Sequence, residues 1–138
     1  MSASRPVTRE ALIDGYVGAI RAKSADALAD LYAPDAIHAF PFNHGEGGVL
    51  RGREAVRAFY QAAWGKTPVV VRDIRNLATF RADDGETVIA EFDIDAIHGG
   101  TGAAFTLACV VVARVRDGAI VSLRDYTDDL TIARMLGR

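Results

Sequence analysis

AAFTLACVVVARVR, residues 103–116, is the stretch on which the fold turns. Side chains alternate across a strand, so its residues sort into two sets. Phe105, Leu107, Cys109, Val111, Ala113 and Val115 point one way. Thr106, Ala108, Val110 and Val112 point the other, with Arg114 beyond. Both sets are largely apolar, so the strand belongs to a sheet covered on both faces. Helices can take one face. The other needs strand ends folded over it or a second copy of the chain. The second reading is favoured, and it predicts a homodimer through an outer face that includes Val110 and Val112.

Working outward, turn signals bracket similar runs. Asp117-Gly118 leads into Ala119–Thr127, and the glycine-rich segment Gly99–Gly102 leads back to Glu86–Ile97. Asp84-Gly85 leads further back to Val69–Phe80. Such short connections make consecutive strands antiparallel. The first half reads as helices. Thr8 caps one that carries Leu12, Tyr16 and Ile20 on a single face. Ser24 caps a short second helix that Pro34 stops. Ala36 to Phe40 is a short strand ended by Pro41, and Asn43 to Gly48 is a loop. Gly52 opens a third helix with Val56, Phe59, Tyr60 and Ala63 at helical spacing, and Gly65 closes it in the left-handed conformation. Asp128 caps a last helix, about Asp129–Leu136. Helices followed by a meander define an α+β domain with helices on one sheet face, spanning residues 1–138.

Composition narrows the function. The chain has 138 residues, half of them apolar, and a formal net charge of −2. That is one ordinary domain with a sizeable core. No cluster of Lys and Arg forms a basic stripe, so no nucleic-acid partner is expected. No run is long and apolar enough for a membrane helix, and MSASRPVTREAL lacks the apolar core of a signal peptide. Cys109 is the single cysteine, so no internal disulfide can form. A cytoplasmic location follows as the expectation. The three histidines and Cys109 lack metal-ligand spacing, and no metal or cofactor is expected. NHGEGG has no strand–loop–helix setting for phosphate.

Some residues stand out against this background. Asp125 extends the more apolar face of the last strand, shared with Val121 and Leu123. Burial there raises a carboxyl pKa and suits it to general acid/base work. The competing reading gives Asp125 solvent or an arginine. Tyr16 is either a hydrogen-bond donor to a ligand or a core tyrosine with a satisfied hydroxyl. His38 alternates with Phe40, so both can face a pocket; His38 is either an acid/base group or a buried, hydrogen-bonded histidine. His44 and His98 read as solvated loop residues. Glu91, Asp93 and Asp95 read as a solvated strand face.

The order of these elements resembles a known family. YAPDA (Tyr32–Ala36), a strand and proline, LRGREAVRAFY (Leu50–Tyr60), and AIVSLRDYTDDLTIARMLG (Ala119–Gly137) carry the likeness. The chain resembles the SnoaL-like group of the nuclear transport factor 2-like (NTF2-like) superfamily, which is related to ketosteroid isomerases. The resemblance implies a cone: a strongly curved antiparallel sheet wrapped around a pocket, three to four helices closing it, and a dimer across the outer sheet. It also implies roles. Tyr16 matches the phenol that holds the oxyanion in ketosteroid isomerases. Phe40 stands where their carboxylate base would be, and Cys109 to Val112 offer no carboxyl group for their protonated acid. Asp125 matches the aspartate of the polyketide cyclases, whose companion histidine falls near Val111 here.

The sequence therefore predicts a small-molecule enzyme of isomerase, cyclase, dehydratase or hydrolase type. Asp125 would transfer the proton, and Tyr16 and His38 would orient or polarise a carbonyl. Phe40, Trp64, Phe92, Phe105 and Val111 would shape an apolar substrate pocket. The alternatives are a non-catalytic binder of an apolar ligand and a dimerisation module.

Overall fold

The computed structural model of the chain describes residues 7–43 and 48–137. The helices are α1 (Arg9–Ala22), α2 (Ala25–Ala29), α3 (Arg53–Lys66) and α4 (Asp129–Met135). The strands are β1 (Tyr32–Ala39), β2 (Val49–Arg51), β3 (Val69–Arg81), β4 (Thr87–His98), β5 (Ala104–Arg116) and β6 (Ala119–Asp125). They form a single sheet in the order β2-β1-β6-β5-β4-β3. The meander from β3 to β6 is antiparallel, as the short turns require. The β5–β6 turn places Asp117 at φ 52° and Gly118 at φ 75°. Those two positive values give the tight hairpin whose twist matches the strands.

The helices cover one face of the sheet. Val88, Ala90, Phe92, Ile94 and Ala96 of β4, and Leu107, Cys109, Val111, Ala113 and Val115 of β5, are buried with Leu12, Ile13, Tyr16 and Val17 of α1. The alternate residues look outward. On that outer face Phe80, Ile89, Val112 and Arg124 line up across four strands. The expected caps are in place: Thr8, Ser24 and Asp128 accept from the backbone N–H groups of Ala11, Ala27 and Thr131.

Several local readings are corrected. The second helix ends at Ala29, capped by Asp30, and Pro34 lies inside β1 instead of stopping the helix. Between Tyr32 and Ile37 the β1–β6 register slips, so Pro34 sits where its missing N–H interrupts no regular ladder. Gly65 does not close α3. The helix runs through it to Lys66 and stops at Thr67, which is extended because Pro68 follows. The last strand carries a bulge: Ser122 opposes Arg114 but Ile120 opposes Val115, leaving Val121 as the extra residue. Ile120 and Leu123 are thus both fully buried, and Asp125 shares the inner face with Leu123 but not with Val121. His98 is not merely solvated, since its Nδ1 accepts from the N–H groups of Gly100 and Thr101 and shapes the turn after β4. His44 and most of the Asn43–Gly48 loop lie outside the described residues.

Candidate functional site

One pairing builds the site. β1 and β6 run parallel, side by side, with His38 opposite Leu123 and Ala39 opposite Arg124. This brings the ends of both strands together. Alternation then turns His38 and Phe40 from one strand, and Leu123 and Asp125 from the other, towards the helices. α1 supplies Tyr16 and α3 supplies Tyr60.

His38 is 0% exposed, and both ring nitrogens are taken. The Tyr32 hydroxyl lies 2.7 Å from Nδ1, and the Tyr60 hydroxyl 3.1 Å from Nε2. Burial pushes the His38 pKa down to about 4, so the ring is neutral at physiological pH. A neutral imidazole donates from one nitrogen and accepts at the other. One phenol therefore donates to the ring while the other receives from it. Tyr16 extends the set: its hydroxyl faces Tyr60 and lowers that phenol's pKa, against the larger opposing effect of burial. All three phenols are held well above their ordinary pKa, by burial first and then by the charge of Asp125. They are permanent neutral hydrogen-bond donors grouped around one carboxyl group.

Asp125 is itself shifted. Burial raises its pKa to about 6, partly offset by the Thr127 hydroxyl and N–H. The Thr127 N–H donates to Oδ1 at 2.9 Å, and the Thr127 hydroxyl donates to the same oxygen. No arginine pairs with Asp125 among the described residues. A carboxyl group poised near neutrality beside neutral phenols can take a proton and return it while a phenol holds developing negative charge.

The other predicted residues distribute unevenly. Phe40 packs its ring 4.7 Å from that of His38 and 5.1 Å from that of Phe59, and Trp64 lies 4.7 Å from Tyr60. Tyr16, His38, Phe40 and Trp64 are thus joined through Tyr60. Val111 sits directly opposite Asp125. Phe92 is packed into the core at 3% exposure, and Tyr16 at 2%. Phe105 stands away from Asp125, further along β5 opposite Ala96. Tyr32, Tyr60 and Thr127 belong to the site and were not assigned roles from sequence. The available signal was chemical: two phenols and an imidazole at inward positions must find partners. A cavity of about 300 Å³ opens on the helical side, lined by Lys23, Ser24, Asp26, Tyr60, Gln61 and Trp64 among others. Among the described residues no three His, Cys, Asp or Glu side chains are grouped to hold a metal ion. No helix there is long and apolar enough to cross a membrane.

A helix-backed, curved, unclosed sheet of this kind is the ketosteroid isomerase-like fold. Within it the chain belongs to the SnoaL-like domain family, whose profile matches residues 13–123. A curated relative is the uncharacterised protein YesE of Bacillus subtilis, 26% identical over 116 residues, covering 83% of this chain and 78% of YesE. Among solved structures, a candidate isomerase from Bacillus subtilis is 25% identical with a TM-score of 0.81, covering 91% of this chain and 90% of its own. A candidate polyketide cyclase from Xanthomonas campestris is 22% identical with a TM-score of 0.72, covering 92% and 95%. The second of these likenesses speaks to the fold alone.

Proposed function

We propose that this chain is a small-molecule enzyme working by general acid/base chemistry without a cofactor, of isomerase or cyclase type. The observation that carries the reading is Asp125: an inner-face carboxyl group with a pKa raised to about 6 by burial, with no arginine partner among the described residues and three phenols nearby. In this scheme Asp125 removes a proton from carbon next to a carbonyl and returns it elsewhere on the same molecule. Tyr16 donates to the carbonyl oxygen as charge develops there. His38 touches no substrate, because both nitrogens are engaged; it holds Tyr32 and Tyr60 in place. Phe40 and Trp64 exclude water. The likeness to a candidate isomerase and a candidate cyclase is consistent with such chemistry. A cytosolic homodimer joined through the outer sheet face completes the proposal.

The test is proton–deuterium exchange in heavy water, followed by NMR over a panel of small enolisable ketones. Wild type should accelerate exchange for at least one of them. Asp125→Asn should reduce that acceleration by about 10²–10⁴-fold, the usual contribution of one positioned acid/base group. Equal rates in the two proteins would end the proposal. A non-catalytic binder of an apolar ligand is the second reading. The near-complete burial of Tyr16, His38 and Phe92 favours it, and ligand-induced stabilisation without exchange would distinguish it from the enzyme.

A further inference from the structure

We propose that the cleft between α2 and the C-terminal half of α3 is a second binding site, which shares the Tyr60 and Trp64 wall with the Asp125 site but does not include the carboxyl group. Its ligand would be a small, planar, uncharged ring carrying adjacent hydrogen-bond donor and acceptor groups. The shape argues for a ring. Tyr60 and Trp64 stand one helical turn apart on α3 and so share a face. Their rings meet at 4.7 Å and 49°, an angled wall against which a flat molecule can lie on one ring and abut the other. The cavity of about 300 Å³ is at the small end of ligand sites.

The rim argues for the absence of charge. Lys23 and Asp26 contribute one charge of each sign. Each already has a protein partner: Lys23 Nζ donates to the Val69 carbonyl, and Asp26 accepts from Arg57. An anion would face Asp26 and a cation would face Lys23, whereas a neutral ligand faces neither penalty. The hydrogen-bonding groups still open are of another kind. The Gln61 amide offers a donor and an acceptor in one plane and has no partner among the described residues. Ser24 Oγ accepts from the Ala27 N–H, which leaves its hydroxyl hydrogen to donate. A lactam edge, with N–H beside C=O, complements an amide of this kind.

The site is not isolated from the interior. Tyr60 forms part of the cleft wall while its hydroxyl meets His38 Nε2 at 3.1 Å. A ligand pressed against Tyr60 therefore alters the surroundings of a histidine that no solvent reaches.

Trp64 is the only tryptophan in the chain, so its fluorescence reports this cleft directly. The experiment titrates the full chain with uracil as a neutral lactam, benzoate as an anion and benzylamine as a cation. Uracil should change the emission saturably with a Kd on the order of 1 mM, as its few atoms allow. The charged probes should bind about tenfold more weakly or not at all. Gln61→Leu, at an exposed position, should weaken uracil binding on the order of tenfold for one lost hydrogen-bonding edge, and Gln61→Glu should weaken it too. Asp125→Asn should leave uracil binding unchanged, which separates this site from the proposed catalytic one. The His38 ring signals in NMR should shift on saturation. No saturable response to uracil up to about 10 mM, an equal response to all three probes, or full binding by both Gln61 variants would overturn the proposal.

Discussion

Two side chains push the pH dependence of stability in opposite directions. His38 binds its proton less tightly in the fold, its pKa lowered from 6.5 to about 4 by burial. The unfolded chain therefore carries more protons in that window, and this contribution is lost as pH falls from about 6.5 to 4. Asp125 runs the other way, with a pKa raised from 3.8 to about 6, again chiefly by burial. The folded chain carries more protons there, so its contribution is lost as pH rises through the same window. Each shift corresponds to roughly 3 kcal/mol, and the two nearly cancel in the native protein. These two groups together are expected to add little net slope between about pH 4 and 6.5. Asp125→Asn should restore a rise with pH across that window and leave the protein more stable than wild type at neutral pH. His38→Gln should leave the opposite slope. Urea titrations at several pH values read both. The inward direction of Asp125, Tyr16 and His38 was legible from strand alternation and helical spacing. The satisfaction of His38 by Tyr32 and Tyr60 was not, because Tyr32 reaches it across the irregular stretch of β1 and Tyr60 comes from α3, so tertiary packing sets both distances.

The elements show where local sequence rules hold. β3 to β6 lie within two residues of the expected runs, since alternating apolar residues and Asp-Gly turns mark them. β2 spans three residues and leaves no periodicity to read. The bulge at Val121 breaks the alternation that sequence reading assumes, and nothing in AIVSLRD announces it. Pro34 and Gly65 misled for a related reason: each is permitted, at a cost, in an element whose packing outweighs it. Gly52 is the opposite case. It starts α3 at φ 92°, ψ 149°, a backbone region that other residues scarcely enter, while its N–H donates to the Ala36 carbonyl at 2.7 Å. An added Cβ would meet only the Pro34 carbonyl oxygen, at an ordinary 3.5 Å, so the penalty is one of conformation alone. Gly52→Ala should lower stability by about 1–3 kcal/mol. The expected signature is a lower urea midpoint with an unchanged slope.

At the scale of the whole molecule the outer sheet face carries the next prediction. Phe80, Ile89 and Val112 form an apolar row across three strands, with Phe80 51% exposed. A second copy seated there would cover them. Val112→Glu is the informative change, because Arg124 stands opposite and can pair with the new carboxylate in a free protomer. In a dimer the same carboxylate would be buried, at a cost of several kcal/mol. Sedimentation at micromolar concentration should find wild type dimeric and Val112→Glu monomeric; a monomeric wild type would remove the interface. The parallel pairing of β1 with β6 has a different kind of consequence. The hairpins between β3 and β6 join neighbours in sequence and can form as soon as each is made. β1 can pair early with β2 on one edge, but its other neighbour is β6, and Asp125 is that strand's last residue. While the ribosome is still extending the meander, Tyr16, Tyr32 and His38 are already made but lack the strand that carries Asp125. The nascent chain thus passes through a stage in which its future interior is wet, and the final strand is the piece that shuts the water out.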